Sequence, residues 1–332
     1  MVCELAVDFS FTDAERAALT ARFEAINVHP YRTYPAFRHH VRLLAAEEPH
    51  AARLRQFLHV HRSRSSFDRP FVFMRNTPVD RHLPDLDNSN PVSAKHALKS
   101  SFVAEAFLQL YAELAGEHPI SYVNVNGGDV YQDIFPQESM KASQSQKALG
   151  PIHFHKDLAN HFVRPDTVNI LSLRSSDANE IHTVFASNRE VLAALDGETL
   201  DVLRKPWFHT PYDDLTLRGA RVALGRAPAH AVLACESDLR FFEHRTEALD
   251  SRGTDALEKL AAAVHACKRR VLMRPGDFVS IANNLSLHGK EVGRIGDPRE
   301  QRRRWSIKTV NVHVVAPHLR HMVAGTDYLI NG

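Results

Sequence analysis

The stretch GPIHFHKDLANHF, residues 150–162, alternates apolar and polar side chains. Ile152 and Phe154 fall between His153, His155 and Asp157, as in a strand with one apolar face and one polar face. The alternation predicts that residues 153, 155 and 157 share the polar face. An imidazole and a carboxylate two residues apart on that face can both reach one cation, so the stretch predicts a metal site on a strand.

A third ligand has to come from another part of the chain. The candidate is His288 in IANNLSLHGKEVGR, residues 281–294, which follows the turn-and-strand sequence RPGDFVSI. Two histidines and one carboxylate on one face of an octahedral ion leave three positions open, as non-haem Fe(II) oxygenases require. Two other interpretations stay open at this point. One is a solvated strand face in a histidine-rich chain, and the other is a zinc site built from His153, His155 and a third histidine.

A basic run downstream of His288 bears on this choice. Residues 302–308 read RRRWSIK, and Arg304 is the arginine that enters the following strand. A guanidinium donates two parallel, charge-assisted hydrogen bonds to a carboxylate, so Arg304 is a natural receptor for the distal carboxylate of 2-oxoglutarate. A zinc hydrolase has no such need. Arg302 and Arg303 are more typical of a solvated charge cluster.

The chain before this region has helical periodicity. Apolar residues recur at helical spacing from about Thr12 to His61, and SFVAEAFLQLYAELAGE predicts an amphipathic helix at about 97–116. Beyond it, short β-branched and aromatic runs are separated by turns, which is typical of a closed or sandwiched antiparallel structure such as a jelly roll. Helical insertions are predicted at about 187–205 and 253–268.

The fold predicted from these features is α+β, with a double-stranded β-helix (jelly-roll) core, a helical N-terminal region and helical insertions. We expect a single oxygenase domain over residues 1–332, because no repeat or low-complexity linker divides the chain. Residues up to about 118 would be mainly helical support. The core would span about 119–316, with an insertion at about 187–268.

Composition and charge limit the classes of partner. The chain has 332 residues, 44% of them hydrophobic, and a net charge of +2, so no global field favours nucleic acid or an anionic membrane. Three scattered cysteines without a CxxC spacing argue against a disulfide framework and fit a reducing compartment. We therefore expect a cytoplasmic protein with a small-molecule partner, and neither nucleic-acid nor membrane binding.

Four motifs in a fixed order make the sequence resemble the clavaminate synthase-like branch of the Fe(II)/2-oxoglutarate oxygenases, which contains hydroxylases of free arginine, asparagine and lysine. The motifs lie within about residues 122–312. They are GGDVYQDIFPQ, IHFHKDLANHFVRPDTVNILSLR, HTVFAS, and PGDFVSIANNLSLHGKEVGR followed by RRRWSIK. Their order and spacing are hard to produce by chance, although no single motif is specific.

The resemblance implies a metal site and a cosubstrate site. The second motif is similar to the family's FHTE block and the fourth to its HGR block, so His155, Asp157 and His288 would hold Fe(II). His153 would then be a neighbour of the metal site without a bond to the ion. The fourth motif also assigns the 2-oxoglutarate clamp to Arg304.

Further roles are implied outside the metal site. Thr183 of HTVFAS falls where a family threonine helps to bind the 2-oxoglutarate carboxylate, although threonine is also simply a good β former. Gln132 falls where a family glutamine contacts the head group of the amino-acid substrate. Lys308 occupies the position of a family arginine that holds the α-carboxylate of the substrate, and a lysine there lacks the bidentate fork.

Two other departures from the family pattern affect the expected chemistry. Asp157 stands where glutamate is more common in this branch, but aspartate is the usual ligand in the wider superfamily. Because related halogenases lack a carboxylate at this position, Asp157 favours hydroxylation. The segment between His288 and Arg304 is about two residues longer than is typical, which leaves Arg303 as an alternative clamp.

The resemblance implies a non-haem iron, 2-oxoglutarate-dependent dioxygenase. It would consume 2-oxoglutarate and O2, release succinate and CO2, and hydroxylate an unactivated C–H bond of a free L-amino acid or a derivative. A desaturase of the same class and a zinc-dependent, cupin-like hydrolase are the alternatives.

Acidic residues after the second motif bear on the side chain of the substrate. In relatives that oxidise basic amino acids an acidic pair holds the side-chain cation, and ACESDLRFFEHR at residues 234–245 offers Glu236, Asp238 and Glu243. We expect Asp238 and Glu243 to bind substrate, which would then be of the lysine or arginine type, because a buried cation needs a paired carboxylate. Surface carboxylates beside a helix are the competing interpretation.

Overall fold

The computed structural model describes residues 3–212 and 227–331. Its N-terminal part is mainly helical. This part contains α1 (Asp13–Glu24), α2 (Tyr34–Glu47), α3 (Ala52–Arg62), α4 (Pro91–Leu98) and α5 (Val103–Ala115), with the short strands β1 (Cys3–Glu4), β2 (Phe9–Ser10) and β3 (Phe71–Arg75). Helices therefore occupy most of the region for which helical periodicity predicts them.

The remaining part is rich in strands, with helices between some of them. Its strands are β4 (His118–Tyr122), β5 (Gln132–Ile134), β6 (Ile152–His155), β7 (Thr167–Arg174), β8 (Asn179–Ser187), β9 (Phe208–His209), β10 (Glu247–Ala248), β11 (Arg269–Val271), β12 (Phe278–Ala282), β13 (Ser286–Ile295), β14 (Trp305–Val312) and β15 (Leu329–Ile330). Its helices are α6 (Asn188–Ala193), α7 (Gly197–Leu203), α8 (Ser251–Cys267) and α9 (Pro298–Arg303).

Two sheets contain nearly all of these strands. The larger sheet has the order β15-β4-β14-β7-β12-β3-β2, with β5 also paired to β14, and the smaller has the order β1-β11-β8-β13-β6. The inner pairs β14–β7, β7–β12, β8–β13 and β13–β6 are antiparallel, whereas β1, β2 and β15 join as parallel edges. The architecture is therefore a mixed fold of helices and two principal sheets.

The helical region covers the larger sheet with a single buried helix. In α5 every residue from Val103 to Ala112 is buried, so this helix is hydrophobic on all sides and lies inside the molecule. The ring centroids of Phe107 and Tyr111 lie 5.4 and 4.5 Å from that of Phe278 on β12. Among the described helices, none combines the length and apolar character needed to cross a membrane.

The helix predicted at about 97–116 is α5, which begins later than predicted, at Val103, because α4 ends at Leu98 and a short break follows it. The carboxylate of Asp80 accepts hydrogen bonds from the backbone N–H groups of Val103 and Ala104, and so caps α5 at 3.1 and 3.2 Å. The Lys99 ammonium lies between the helices and donates to the same carboxylate. Since the capping residue is distant in sequence, helical periodicity alone could not locate this boundary.

The insertion predicted as one helix at about 187–205 divides in two. The side chain of Asp196 accepts a hydrogen bond of 2.7 Å from the backbone N–H of Thr199, and it begins α7 as an N-cap. Helix α6 ends at Ala193, so a short break separates the two. The helix predicted at about 253–268 is present as α8.

The carboxyl group of Glu117, between α5 and β4, makes the stability of the fold depend on pH. Burial raises its pKa from 4.5 to about 7, although Asn169 donates a 2.7 Å hydrogen bond that opposes the shift. Between these two pKa values the folded chain binds more protons than the unfolded chain, so stability falls as pH rises and the loss is complete above pH 7.

We therefore expect Glu117→Gln to be more stable than the wild-type protein at pH 8, with a free energy of unfolding higher by on the order of 2 kcal/mol. Near about pH 4 the two proteins should differ little. Thermal denaturation followed by circular dichroism across this pH range measures the effect. The exposed Glu258→Gln variant is the matched control. A Glu117→Gln effect of equal size at both pH values would contradict the assignment.

Candidate active site

A cavity lies between the two sheets and receives side chains from both. Most of the residues singled out from the sequence line it: Gln132, His155, Asp157, Thr183, His288, Arg304 and Lys308. Asp238 and Glu243 do not line it. The structure thus brings together the predicted metal, cosubstrate and head-group residues, but not the predicted acidic pair.

Three of these side chains form a compact donor set. Asp157 Oδ1 lies 3.3 Å from His155 Nε2 and 3.4 Å from His288 Nε2. Donor atoms about 2.1 Å from one ion lie roughly 3 Å apart at octahedral angles, so small adjustments would place all three on a common metal ion. Two imidazoles and one carboxylate on one side of an ion fit the facial arrangement predicted from the sequence.

The backbone orients the first imidazole. His155 Nδ1 donates a 2.8 Å hydrogen bond to the carbonyl oxygen of His153, which leaves Nε2 as the acceptor that faces the donor set. The ring also stacks on Phe242, with centroids 5.0 Å apart. Burial lowers the pKa of the second imidazole, His288, and so favours the neutral form that binds metals.

The carboxylate of Asp157 is held on two sides. Its backbone N–H donates to Asn283 Oδ1 at 2.9 Å, and Asn283 Nδ2 donates back to the Asp157 carbonyl at 3.1 Å. Lys308 Nζ donates to Asp157 Oδ2 at 2.6 Å. Burial alone would raise the pKa of Asp157, but Lys308 and the two histidines hold it well below its ordinary range. Oδ1 is therefore an ionised donor directed at the imidazoles.

An irregularity in β6 corrects one prediction from the sequence. His288 pairs with His155 but Lys290 pairs with Ile152, so β6 has one extra residue between these pairs, as in a β-bulge. Ile152 and His155 consequently both line the cavity, whereas His153 does not. Strict alternation wrongly placed residues 153 and 155 on one face, because a bulge interrupts the two-residue period.

Gly289 permits the close approach of β13 to this bulge. A Cβ atom at Gly289 would lie 2.6 Å from the carbonyl oxygen of Ile152 and 3.2 Å from backbone atoms of His153. Real Cβ atoms do not approach backbone this closely, so any other residue would push the strands apart. Because His288 precedes this glycine, the spacing of the donor set depends on it.

We expect Gly289→Ala to weaken metal binding at the donor set by at least tenfold, since separating β13 from β6 moves His288 away from His155. Anaerobic titration with Fe(II), or with Co(II) as a substitute, measures the affinity. Gly197→Ala is the control, because a Cβ at Gly197 meets no atom within 4 Å. Equal metal affinities for wild type and Gly289→Ala, in folded protein, would refute the role of this contact.

Two cations occupy another part of the cavity wall. Arg304, immediately before β14, and Lys290, on β13, both line the cavity, and their mutual repulsion contributes to the low pKa of Lys290. Burial lowers the pKa of Arg304 to about 10, and burial together with Arg304 lowers that of Lys290 to about 7. Lys290 Nζ donates to the Ala148 carbonyl, and no carboxylate among the described residues pairs with either cation.

Thr183 belongs to the same part of the wall. It lies beside Lys290 in the β8–β13 register, and its hydroxyl donates to the sulfur of Met273 at 3.5 Å. Two cations and a hydroxyl therefore surround a position suited to a carboxylate. Sequence reasoning found Arg304 and Thr183 but missed Lys290. The signal was present, because Lys290 lies two residues after His288 and so shares its strand face.

The neighbouring arginines point elsewhere. Arg303 pairs with Asp85 at 2.7 Å and with Glu300 at 2.5 Å, and Arg302 pairs with Glu138. Neither arginine lines the cavity. Arg303 is the last residue of α9, so the alternative clamp at Arg303 is not supported by the structure.

A third group of cavity residues carries amides. Gln132 lies beside Lys308 in the β5–β14 register, and Gln146 also lines the cavity with an Nε2 atom that is buried and without a hydrogen-bond partner in the described chain. Lys308 already donates to Asp157. Amides here can accept from and donate to a polar ligand, whereas the Lys308 ammonium is shared with the metal-binding carboxylate.

The acidic residues after the second motif are engaged outside the cavity. Asp238 pairs with Lys156 and, at 3.1 Å, with Arg164. Glu243 contacts the backbone N–H of Phe154, and Glu236 is exposed. The structure gives these carboxylates no access to the cavity, so the expected role of Asp238 and Glu243 in substrate binding is not supported.

Comparisons with known proteins agree on one class of relative. The chain is similar to L-asparagine oxygenase of Streptomyces coelicolor, with 30% identity over 223 residues, which cover 66% of this chain and 64% of that relative. It is also 25% identical over 227 residues to clavaminate synthase 2 of Streptomyces clavuligerus, covering 66% of this chain and 67% of the relative. The matched stretch thus spans slightly less than two thirds of the first relative.

A solved structure extends the likeness to the whole chain at the level of fold. Asparagine oxygenase in complex with Fe(II), 2S,3S-3-hydroxyasparagine and succinate superposes with a TM-score of 0.83 and 23% identity, covering 98% of this chain and 99% of that one. No family model matches the sequence.

Proposed function

We propose that the chain is an Fe(II)/2-oxoglutarate oxygenase of the clavaminate synthase-like branch, to members of which it is similar, and that it hydroxylates an unactivated C–H bond of a free L-amino acid or a close derivative. The cosubstrates are 2-oxoglutarate and O2, and the other products are succinate and CO2. In this proposal His155, Asp157 and His288 bind the iron, which supplies the activation of O2.

The observation that carries the proposal is the pair of cations without a carboxylate partner, in the cavity that also contains the donor set. Arg304 and Lys290 repel each other in a partly buried place, which costs free energy unless an anion binds between them. The distal carboxylate of 2-oxoglutarate provides that anion, and the hydroxyl of Thr183 adds a hydrogen bond. The other end of the same molecule would then reach the metal position.

The donor set does not fit the three-histidine zinc site that the sequence left open. A zinc site with three histidines would need His153 beside His155, but the bulge in β6 keeps His153 out of the cavity. Asp157 provides the third donor instead, and two histidines with one carboxylate leave three positions for the cosubstrate and O2. The buried cation pair has no role in activating water for hydrolysis.

The residues of the chain position the reactants. Lys308 keeps Asp157 ionised and fixes Oδ2, so Oδ1 remains directed at the metal position. Gln132 contacts the head group of the amino acid, and the ammonium of Lys308 attracts its α-carboxylate while it holds Asp157. Side-chain placement then selects the C–H bond, because a displacement of about 1 Å can cost on the order of a hundredfold in rate.

For the side chain of the substrate we favour an uncharged polar group. Within the parts of the chain that the structure describes, Asp157 is the only carboxylate that lines the cavity, and it is paired with Lys308. A buried cationic side chain would need a carboxylate of its own. The amides of Gln132 and Gln146 are suited to an amide or hydroxyl group. A basic amino acid is the second candidate, since the family includes hydroxylases of lysine and arginine.

The strand order supports a jelly-roll core as the framework of this site. After β6 of the smaller sheet, the chain enters β7 of the larger, β8 and β11 of the smaller, then β12, β13 and β14 in alternation. Alternation between two facing antiparallel sheets is the winding of a double-stranded β-helix. We propose that the helical N-terminal region and this core form one oxygenase domain.

We expect the anaerobically reconstituted Fe(II) protein to convert 2-oxoglutarate to succinate when O2 and the correct amino acid are added. A screen of all free L-amino acids, with asparagine and glutamine against lysine and arginine as the decisive pairs, identifies the side-chain class. Mass spectrometry of the amino acid distinguishes hydroxylation from desaturation by a gain of oxygen or a loss of two hydrogens.

The His288→Ala variant is the control for metal dependence and should lose at least a hundredfold in succinate formation. Zinc in place of iron should support no turnover. If no amino acid or derivative stimulates succinate formation by the iron-loaded wild type, the proposed function is wrong.

The cation pair makes a separate prediction about 2-oxoglutarate. Arg304→Met should raise the dissociation constant for 2-oxoglutarate at least tenfold, and Lys290→Met should raise it several-fold, since each removes one charge that faces the distal carboxylate. Anaerobic calorimetric titration of metal-loaded protein measures both values.

Two conservative controls accompany this titration. Lys290→Arg should recover most of the affinity because it keeps the charge, and Arg303→Met should leave the affinity unchanged because Arg303 pairs with Asp85 outside the cavity. A loss for Arg303→Met as large as that for Arg304→Met would show that the clamp has been misplaced.

A further inference from the structure

Three histidines surround the carboxylate of Glu243 on the side of β6 away from the cavity. His265 Nε2 lies 2.6 Å from Glu243 Oε1, His244 Nε2 lies 3.8 Å from the same oxygen, and His153 Nδ1 lies 4.0 Å from Oε2. The ligand atoms of His153, Glu243 and His244 all fall within 4.8 Å of one another. None of these residues lines the cavity.

The carboxylate at the centre of this group is fixed against β6. The backbone N–H of Glu243 donates to the Phe154 carbonyl at 2.9 Å, and the Phe154 N–H donates to Glu243 Oε2 at 3.2 Å. Glu243 is only 4% exposed. A buried carboxylate that is held by the backbone and faced by three imidazoles is a position that a bound cation would stabilise.

The histidines approach from three separate parts of the chain. His153 is on β6, His244 follows Glu243, and His265 is on the last turn of α8. The rings of His153 and His244 meet edge to face, with centroids 4.4 Å apart.

We propose that His153, Glu243 and His244 bind a divalent transition-metal ion of the zinc class, while His265 holds the carboxylate in position. Two imidazole nitrogens and one carboxylate oxygen are common zinc ligands at bond lengths of about 2.1 Å, which places tetrahedral donors roughly 3.4 Å apart. His244 Nε2 lies 3.8 Å from Glu243 Oε1 and His153 Nδ1 lies 4.0 Å from Oε2, so the side chains have to rotate to bring both nitrogens to this spacing from one carboxylate oxygen. A histidine that hydrogen-bonds a metal-binding carboxylate is a usual supporting group.

The outer site is distinct from the donor set in the cavity. The bulge in β6 directs His153 and His155 to different sides of the strand, and Phe242 packs on His155 while Glu243, the next residue, faces the outer site. An ion at the outer site would clamp residues 241–244 to β6. The inference does not depend on the proposed oxygenase function, because it rests on other side chains.

Zinc titration of an untagged His155→Ala/His288→Ala double variant tests the outer site, since this variant lacks two donors of the cavity set. We expect calorimetry to show one tightly bound equivalent of Zn²⁺. Adding His244→Asn should abolish that equivalent, because asparagine tolerates the left-handed backbone at residue 244, where φ is 61°, but lacks the imidazole. The matched control, His59→Asn on an exposed helical surface, should retain it.

A spectroscopic measurement on protein with an intact cavity donor set tests the outer site even if the double variant misfolds. With Fe(II) bound first in the cavity, added Co²⁺ should produce the intense visible absorption of four-coordinate cobalt. The absorption should be lost in His244→Asn and His153→Ala and kept in His59→Asn. If folded double variant binds no Zn²⁺, or if His244→Asn leaves the cobalt spectrum unchanged, the outer site does not exist. Succinate formation plays no part in either readout, so failure of the outer site and failure of the proposed function are distinguishable.

Discussion

The pairing of β13 with the bulged strand β6 is the contact on which the rest of the site depends. It sets His288 opposite His155, and the missing side chain of Gly289 lets the two backbones approach at the irregular position. Asn283 then fixes the backbone of Asp157 just beyond β6. The donor set is therefore a product of backbone geometry, and the side chains need little further adjustment to meet one ion.

The charged side chains of the cavity form two separate groups, one at the metal position and one on another part of the wall. Lys308 pairs with the carboxylate of Asp157, so Arg304 and Lys290 are not needed to balance the charge of that carboxylate. Arg304 and Lys290 are left for an anionic ligand, and the amides of Gln132 and Gln146 for a neutral polar one. The cavity thus offers complementary groups to the metal ion, the dicarboxylate and the amino acid of the proposed function.

The sequence predicts most of the site and the general type of fold, for reasons that are visible in particular residues. Motif order located His155, Asp157, His288, Arg304 and Thr183, which lie on or directly beside strands of the two principal sheets and line one cavity. Alternation failed at His153, since a bulge is a property of two paired strands. The acidic pair that the family resemblance implies is a different case, because Asp238 and Glu243 have partners from segments distant in sequence and do not line the cavity.

The capping of α5 by Asp80 decides how the chain can be dissected. This helix covers the larger sheet, and its first N–H groups have no intrahelical acceptors, so the carboxylate of a residue outside the helix completes it. Strand β3, which extends the same sheet, lies just before Asp80. A fragment that begins at α5 would therefore expose both a sheet edge and an uncapped hydrophobic helix. Strand β3 and helix α5 of the N-terminal region therefore complete the larger sheet of the strand-rich part.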